Sequence, residues 1–122
     1  MYEKYLMPDP SYLSEVLLIA GEDAVMEMTY GNGQLQYGND YYFNASNNVN
    51  NNMYLQPLDN TLMHSTIINT VNSGVSFANY TAHCNAAGWA QPSFVVSDVA
   101  SLNNNGKYGL WRSEERRVGK EC

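Results

Sequence analysis

Short apolar segments separated by polar connections form the hydrophobic pattern of this chain. Residues 16–21 are a valine, two leucines, an isoleucine and an alanine closed by a glycine, which predicts a buried strand. Residues 75–82 place apolar or small side chains on both alternating faces, so they predict a second strand that is covered on both sides. Apolar residues at every fourth position predict a helix over residues 60–73. These positions are Met63, Ile67 and Val71, and Gly74 ends the helix.

The order of these elements predicts the fold class. A strand, a connection, a helix and a second strand form a right-handed crossover unit, and such units build α/β domains with a mostly parallel sheet. The helical spacing of Leu35, Asn39 and Tyr42 predicts another short helix, which contains a glycine. The asparagine-rich residues 44–52 predict a surface loop, and a further strand is predicted to begin at Tyr108.

A histidine marks the end of the second strand. His83 directly follows residues 75–82, and in parallel sheets ligands and catalytic groups gather beyond the carboxyl ends of the strands. An imidazole in that position can act as a general acid or base near neutral pH. The alternative is a histidine that only forms hydrogen bonds within its loop, and the residue pattern alone leaves both interpretations open.

An acidic residue occupies the corresponding position after the first strand. Glu22 comes just past Gly21, so if the two strands are neighbours its carboxylate can orient the imidazole of His83 and stabilise its cation. On the other interpretation it is a solvated loop acid, which is the usual state of acidic side chains.

Residues 79–89 carry a resemblance to a known family. Asn-Tyr-Thr-Ala-His at 79–83, with Trp89 six positions after the histidine, resembles the catalytic-histidine segment of the gingipains, the bacterial cysteine endopeptidases of peptidase family C25. The similarity extends more weakly from Tyr2 to Leu110. It implies a caspase-like three-layer α/β/α fold with a mostly parallel sheet, incomplete in this chain. It also implies peptide-bond hydrolysis by a cysteine and a histidine; we predict no cofactor, and calcium dependence is left open.

The resemblance implies roles for individual residues. His83 corresponds to the catalytic acid and base, and Glu22 matches a glutamate that is a candidate third catalytic member. Cys84 stands where the family usually has a glycine whose backbone N–H helps to form the oxyanion hole. A cysteine keeps that N–H, but neighbouring residues of an extended chain point to opposite sides, so we expect Cys84 to be an unreactive thiol. Gly33 replaces an aspartate of the arginine-selective members, and Ala86 replaces a glutamate found in several members.

The last eleven residues are not expected to belong to the domain. Residues 112–122 match, residue for residue, the translation of a common sequencing-library adapter, so the domain is expected to span residues 1–111. The alternative is a genuine basic tail. At the family's spacing the nucleophilic cysteine would fall at position 116, which is now Arg116. We therefore expect an inactive fragment of a larger domain that holds the catalytic base without its nucleophile.

Charge and composition limit the partners. The whole chain has a net charge of −6; without residues 112–122, two lysines stand against nine acidic residues, a net charge of −7. Such a surface argues against binding to nucleic acids or anionic membranes. No run of about eighteen apolar residues predicts a membrane span. Without Cys122, Cys84 is the only cysteine, which leaves no disulfide framework and no cysteine metal site.

Two functional hypotheses follow. The first is a fragment of a secreted cysteine endopeptidase that acts on protein or peptide substrates outside the cell or at the bacterial surface; the residues after Met1 do not form a signal peptide. The second is a non-catalytic relative, a surface or secretion-associated module that kept the sheet and lost the site, which Gly33 and Ala86 favour. A carbohydrate-binding domain, suggested by the abundant asparagine and tyrosine, would need many short alternating strands, and the helix over 60–73 argues against it.

Overall fold

The computed structural model of the chain describes residues 9–21, 31–55, 64–90 and 92–115. In chain order, its strands and longer helices are β1 (Glu15–Ala20), α1 (Asn32–Tyr41), β2 (Asn50–Leu55), α2 (His64–Ser73), β3 (Phe77–Ala82), β4 (Cys84–Asn85), β5 (Gly88–Trp89), β6 (Phe94–Val95), α3 (Val96–Val99) and β7 (Leu110–Glu115). Within the described residues, four strands form a parallel sheet in the order β2-β1-β3-β7. Strands β4, β5 and β6 form a small antiparallel sheet after the carboxyl end of β3. The parallel sheet and its helices confirm the predicted α/β class.

Both faces of the parallel sheet are covered. Successive residues of a strand point to opposite sides, so each strand contributes side chains to both faces. On the face that we call the α2 face, Leu17 and Ile19 of β1 pack with Ile67 and Val71 of α2. On the opposite face, the α1 face, the intervening residues of β1 pack with Leu35 of α1. The core of the α2 face consists of Leu17, Ile19, Ile67, Val71, Val75, Ala78, Tyr80, Ala82 and Phe94. The core of the α1 face consists of Val16, Leu18, Ala20, Leu35 and Leu55.

The predicted helix over residues 60–73 is confirmed where the structure describes it, from His64 to Ser73. Residues 60–63, including the predicted apolar position Met63, lie outside the described residues. Gly74 ends the helix with a backbone φ of +103°. A Cβ at this position would lie 2.6 Å from the Cβ of Tyr12, so both the left-handed backbone and the close approach require glycine.

The asparagine-rich segment corrects the predicted elements. Residues 44–49 contain a short 3-10 helix, Ala45–Asn47, but residues 50–52 belong to β2 rather than to a surface loop. Pairing of β2 with β1 begins at Glu15 and Asn50. The Glu15 carboxylate accepts hydrogen bonds from Nδ2 of Asn50 (2.7 Å) and of Asn52 (3.2 Å). These asparagines form a strand because a distant segment supplies both the backbone ladder and a side-chain acceptor.

The predicted short helix is confirmed as α1. Asparagine side chains bind the backbone carbonyls at its end. The Nδ2 group of Asn44 donates to the carbonyl oxygens of residues 39 (2.7 Å) and 40 (3.0 Å). The Nδ2 group of Asn47 donates to the carbonyl oxygens of residues 41 (3.2 Å) and 42 (3.0 Å). The last carbonyls of a helix lack partners within it, so these two side chains satisfy groups that would otherwise need water.

Strand β7 continues past the point where the sequence pattern ends the domain. It runs from Leu110 to Glu115 and pairs with β3 from Phe77↔Leu110 to Ala82↔Glu115. Its last four residues therefore belong to the 112–122 stretch. Ladder hydrogen bonds are made by backbone groups, so other non-proline residues at these positions could form the same pairing.

Candidate active site

The carboxyl ends of β1 and β3 meet at one edge of the parallel sheet, which we call the carboxyl edge. The N–H of Gly21, just past β1, donates to the carbonyl oxygen of Thr81 in β3 at 3.1 Å. His83 directly follows β3 at this edge, where it was predicted, and is half-buried. Helix α1 begins at the same edge, since a Cβ on Gly31 would lie 3.5 Å from Ala20 Cβ and 3.8 Å from the Thr81 carbonyl oxygen.

The alternation of β3 assigns position 83 to the α1 side of the sheet. Phe77 packs against the core of the α1 face, and Asn79 lines a cavity of about 400 Å³ on that face. Two residues further, the buried Thr81 accepts a hydrogen bond on Oγ1 from Asn79 Nδ2 at 2.9 Å. Because side chains alternate along a strand, positions 77, 79 and 81 share one side, and the same alternation continued by two residues gives position 83 to that side. A polar pair therefore lies near the end of the strand that leads to the histidine.

Two hydrogen bonds hold the backbone carbonyl of His83. The buried hydroxyl of Tyr80 donates to it at 2.7 Å, and the N–H of Ala90 donates to it at 3.1 Å. Tyr80 belongs to β3, whereas Ala90 follows β5. The peptide group after His83 is thus tied both to the rigid sheet and to the returning hairpin.

An aromatic cluster on the α2 side packs this hairpin against the sheet. The rings of Tyr80 and Trp89 are stacked, with centroids 4.1 Å apart and an interplanar angle of 4°. The ring of Trp89 also packs against those of Phe94 in β6 and Trp111 in β7, with ring centroids 5.2 Å and 6.0 Å away. Stacked or tilted aromatic pairs at these separations are favourable. The cluster therefore joins the segment after the histidine to the last strand of the sheet.

Close packing between the short strands requires a glycine in the hairpin. Gly88 has a backbone φ of +144°, and a Cβ on it would lie 2.6 Å from Val95 Cα and still closer to the Phe94 carbonyl oxygen. Gly88 and Val95 are paired residues of β5 and β6, and the N–H of Val96 donates to the Ala87 carbonyl at 2.9 Å. A side chain at position 88 would force these strands apart.

Cys84 is half-buried, and the described residues contain no free thiol. The predicted isolated, unreactive thiol refers to a protein without Cys122, which was assigned to the adapter stretch and lies outside the described residues. For the natural protein that state therefore stays a prediction. The backbone N–H at position 84 is a donor whatever the state of the sulfur.

The structure describes two of the other three positions that the sequence singled out. Glu22 lies outside the described residues, although its neighbour Gly21 is bonded to β3 at the carboxyl edge. Gly33 lies in the first turn of α1, which begins at the same edge, and is half-buried. Ala86 is exposed in the turn between β4 and β5. The structure thus brings the start of α1 to the edge where His83 lies.

Two further properties concern the described part of the chain. No group of three or more histidine, cysteine, aspartate or glutamate side chains is arranged there to bind a metal ion. None of the helices in that part has the length and apolar character needed to cross a membrane.

Sequence reasoning missed the contribution of Tyr80. Its hydroxyl is buried together with its ring, and buried tyrosine hydroxyls usually have a hydrogen-bond partner. A tyrosine three residues before a candidate catalytic histidine, within a strand covered on both sides, could therefore have indicated a contact to the histidine backbone. Only the structure shows that the acceptor is the carbonyl of residue 83.

Comparisons with known proteins identify relatives over nearly the whole chain. The model of peptidase family C25 matches residues 1–114. The chain is 41% identical to Lys-gingipain W83 of Porphyromonas gingivalis over 112 residues, which are 90% of this chain and 6% of that protein. It is 25% identical to gingipain R2 of the same species over 104 residues, covering 85% of this chain and 14% of that protein. The chain therefore spans only a small part of these relatives.

A solved structure described as a protease has a closely similar fold. It superposes with a TM-score of 0.81 at 39% sequence identity, covering 93% of this chain and 24% of the other. This likeness supports the caspase-like α/β arrangement expected from the sequence.

Proposed function

Because the chain belongs to peptidase family C25, as the resemblance of residues 79–89 predicted, we propose that its parent protein is a cysteine endopeptidase in which His83 is the general acid and base. The observation that carries this proposal is the position of His83 at the carboxyl edge, directly after β3 and beside the strand β7. In a cysteine peptidase the catalytic histidine needs a neighbouring thiol, and β7 is the strand that leads to the position where the family resemblance places that thiol.

The register of β3 and β7 supports position 116 as that of the nucleophilic cysteine. Paired residues differ by 33 positions, from Phe77↔Leu110 to Ala82↔Glu115. Continued by one step, the same register sets position 116 opposite His83. Residues in register on adjacent parallel strands share a side of the sheet, so a cysteine at 116 would have its sulfur on the side of the imidazole. We infer that the natural protein has the nucleophile there and that residues 112–122 are translated adapter sequence.

The proposed reaction follows from these roles. His83 accepts the proton of the thiol, and the thiolate attacks the substrate carbonyl carbon, so that a negative charge develops on its oxygen. The backbone N–H of residue 84 donates a hydrogen bond to that oxygen. His83 then protonates the departing amine, and water hydrolyses the acyl-enzyme with the same histidine as base. Glu22 is proposed to orient the imidazole and to stabilise its cationic form.

The substrates are proposed to be proteins or peptides outside the cell or at the cell surface. The net charge of −7 without residues 112–122 does not favour nucleic-acid partners. Arginine selectivity is not proposed, because Gly33 at the start of α1 carries no carboxylate to pair with a buried guanidinium. Peptides with lysine, arginine or an uncharged residue before the cleaved bond would establish the preference.

Recovery of the natural coding sequence tests the proposal most directly. Reads or genomic DNA that extend past codon 111 should encode a cysteine at position 116 in place of arginine. The parent protein should then hydrolyse peptides, and replacement of that cysteine by alanine, or of His83 by alanine, should abolish the activity. A natural sequence with no cysteine within about ten codons after Leu110 would refute the catalytic proposal.

A second function is favoured by two residues. Gly33 and Ala86 lack carboxylates that occur in active relatives, which is compatible with a non-catalytic surface or secretion-associated module. On that hypothesis the recovered sequence would contain no nucleophile after β7, so the same experiment separates the two functions.

A further inference from the structure

We propose that Tyr80 is a positioning residue, which directs the backbone N–H of residue 84 toward the oxyanion of the peptidase reaction. The inference rests on the proposed function, because the oxyanion exists only if the parent protein cleaves peptide bonds. It assigns a task to a buried side chain beneath the site rather than to a group that contacts the substrate.

The hydrogen bonds to the His83 carbonyl fix the orientation of one peptide group. Tyr80 Oη donates to this oxygen at 2.7 Å and the Ala90 N–H at 3.1 Å, so both of its lone pairs are used. The carbonyl of His83 and the N–H of Cys84 belong to the same peptide group, which is planar and, in the trans form, points them in opposite directions. A carbonyl held toward Tyr80 and Ala90 therefore directs the Cys84 N–H away from both.

The pairing of β4 with β5 agrees with this direction. Cys84 lies opposite Trp89, and the bond from Ala90 N–H to the His83 carbonyl lies beside this pair. That pattern identifies Cys84 and Trp89 as a non-hydrogen-bonded pair of an antiparallel ladder. In such a pair the backbone N–H groups point outward from the two strands. The Cys84 N–H is thus directed away from β5.

Tyr80 is better suited than Ala90 to hold this geometry. Ala90 lies in the turn after β5 of the small antiparallel sheet, whereas Tyr80 is part of β3, which is paired on both sides in the parallel sheet. The Tyr80 side chain is fully buried, and its ring is stacked on Trp89 with centroids 4.1 Å apart. Its hydroxyl therefore ties the peptide group after His83 directly to the sheet that also carries β7.

The test compares two Tyr→Phe variants of the parent enzyme, each measured per titrated active site. Tyr80→Phe removes the hydroxyl but keeps the stacked ring, so we expect kcat to fall about tenfold to a hundredfold, less than the roughly 10²–10³-fold lost with a whole oxyanion donor. KM and the pH profile should change little, because the substrate-binding groups and His83 remain.

Tyr12→Phe is the matched control. Tyr12 is also buried and its hydroxyl also donates to a backbone carbonyl, that of Tyr108 at 3.5 Å, but it precedes β1 at the opposite end of the sheet. This variant should keep the wild-type kcat even if it lowers the melting temperature. A wild-type kcat in Tyr80→Phe, or an equal loss in both variants, would overturn the inference alone. An inactive wild-type parent would overturn the proposed function and this inference with it.

Discussion

Replacement of Gly88 by alanine tests how the hairpin after His83 is held. Two penalties apply to this variant. The backbone φ of +144° strains a residue that has a Cβ, and the new Cβ would lie 2.6 Å from Val95 Cα, a backbone atom that cannot move without separating β5 from β6. We estimate about 1–3 kcal/mol for the strained backbone and about 1 kcal/mol for each ladder hydrogen bond that is lost. With the loss of about two such bonds, the penalties together should lower the free energy of unfolding by about 3–5 kcal/mol.

Gly106→Ala is the control that separates the two penalties. Gly106 also has a positive φ, +75°, but a Cβ on it would meet no atom within 4 Å. It should therefore cost only the left-handed backbone penalty, about 1–2 kcal/mol. Urea unfolding of both variants, followed by tryptophan fluorescence, measures the difference.

Hydrogen exchange locates the damage within the Gly88→Ala variant. The N–H groups of Ala90 and Val96, which donate to the carbonyls of His83 and Ala87, should lose protection before those of β1. Equal destabilisation in Gly88→Ala and Gly106→Ala, or unchanged protection of Ala90 and Val96, would show that the contact between β5 and β6 does not decide the hairpin's geometry.

Two further predictions concern the core and the surface. Ile67→Ala should destabilise the chain by about 2–5 kcal/mol, because Ile67 is fully buried on the α2 face; a loss below about 1 kcal/mol in urea unfolding would contradict that packing. The side chain and N–H of Ser11, and then the Lys107 ammonium 3.6 Å away, lower the pKa of Asp9 below its ordinary value of 3.8. Its stabilising contribution is therefore complete above that pH and is lost as the pH falls through the lowered value, so Asp9→Asn should be less stable than wild type at pH 7 and match it in strong acid. A stability difference between Asp9→Asn and wild type that grows as the pH falls would contradict this prediction.

The local pattern was sufficient for several elements. Neighbouring residues alone define the apolar run of β1, the doubly covered strand β3 and the four-residue interval between Ile67 and Val71. Each of these features could therefore be predicted without knowledge of the fold. The position of His83 after β3 follows equally from local order, because a strand's end is visible where its apolar residues stop.

Contacts between distant segments decided the rest. Asn50 and Asn52 form a strand because Glu15, thirty-five positions earlier than Asn50, supplies the acceptor, and no local signal encodes that partner. Strand order and the register of β3 with β7 likewise arise from packing between segments far apart in sequence.

The sequence by itself thus determined the fold class and the place of the histidine, because apolar periodicity and strand ends are set by neighbouring residues. The tertiary structure decided which groups surround that histidine. The Tyr80 hydroxyl donates to the His83 carbonyl where the returning hairpin stacks Trp89 on the Tyr80 ring and brings the Ala90 N–H to the same oxygen. Hydrogen-bond partners of this kind depend on how separate elements pack, and packing is a property of the whole domain rather than of any segment.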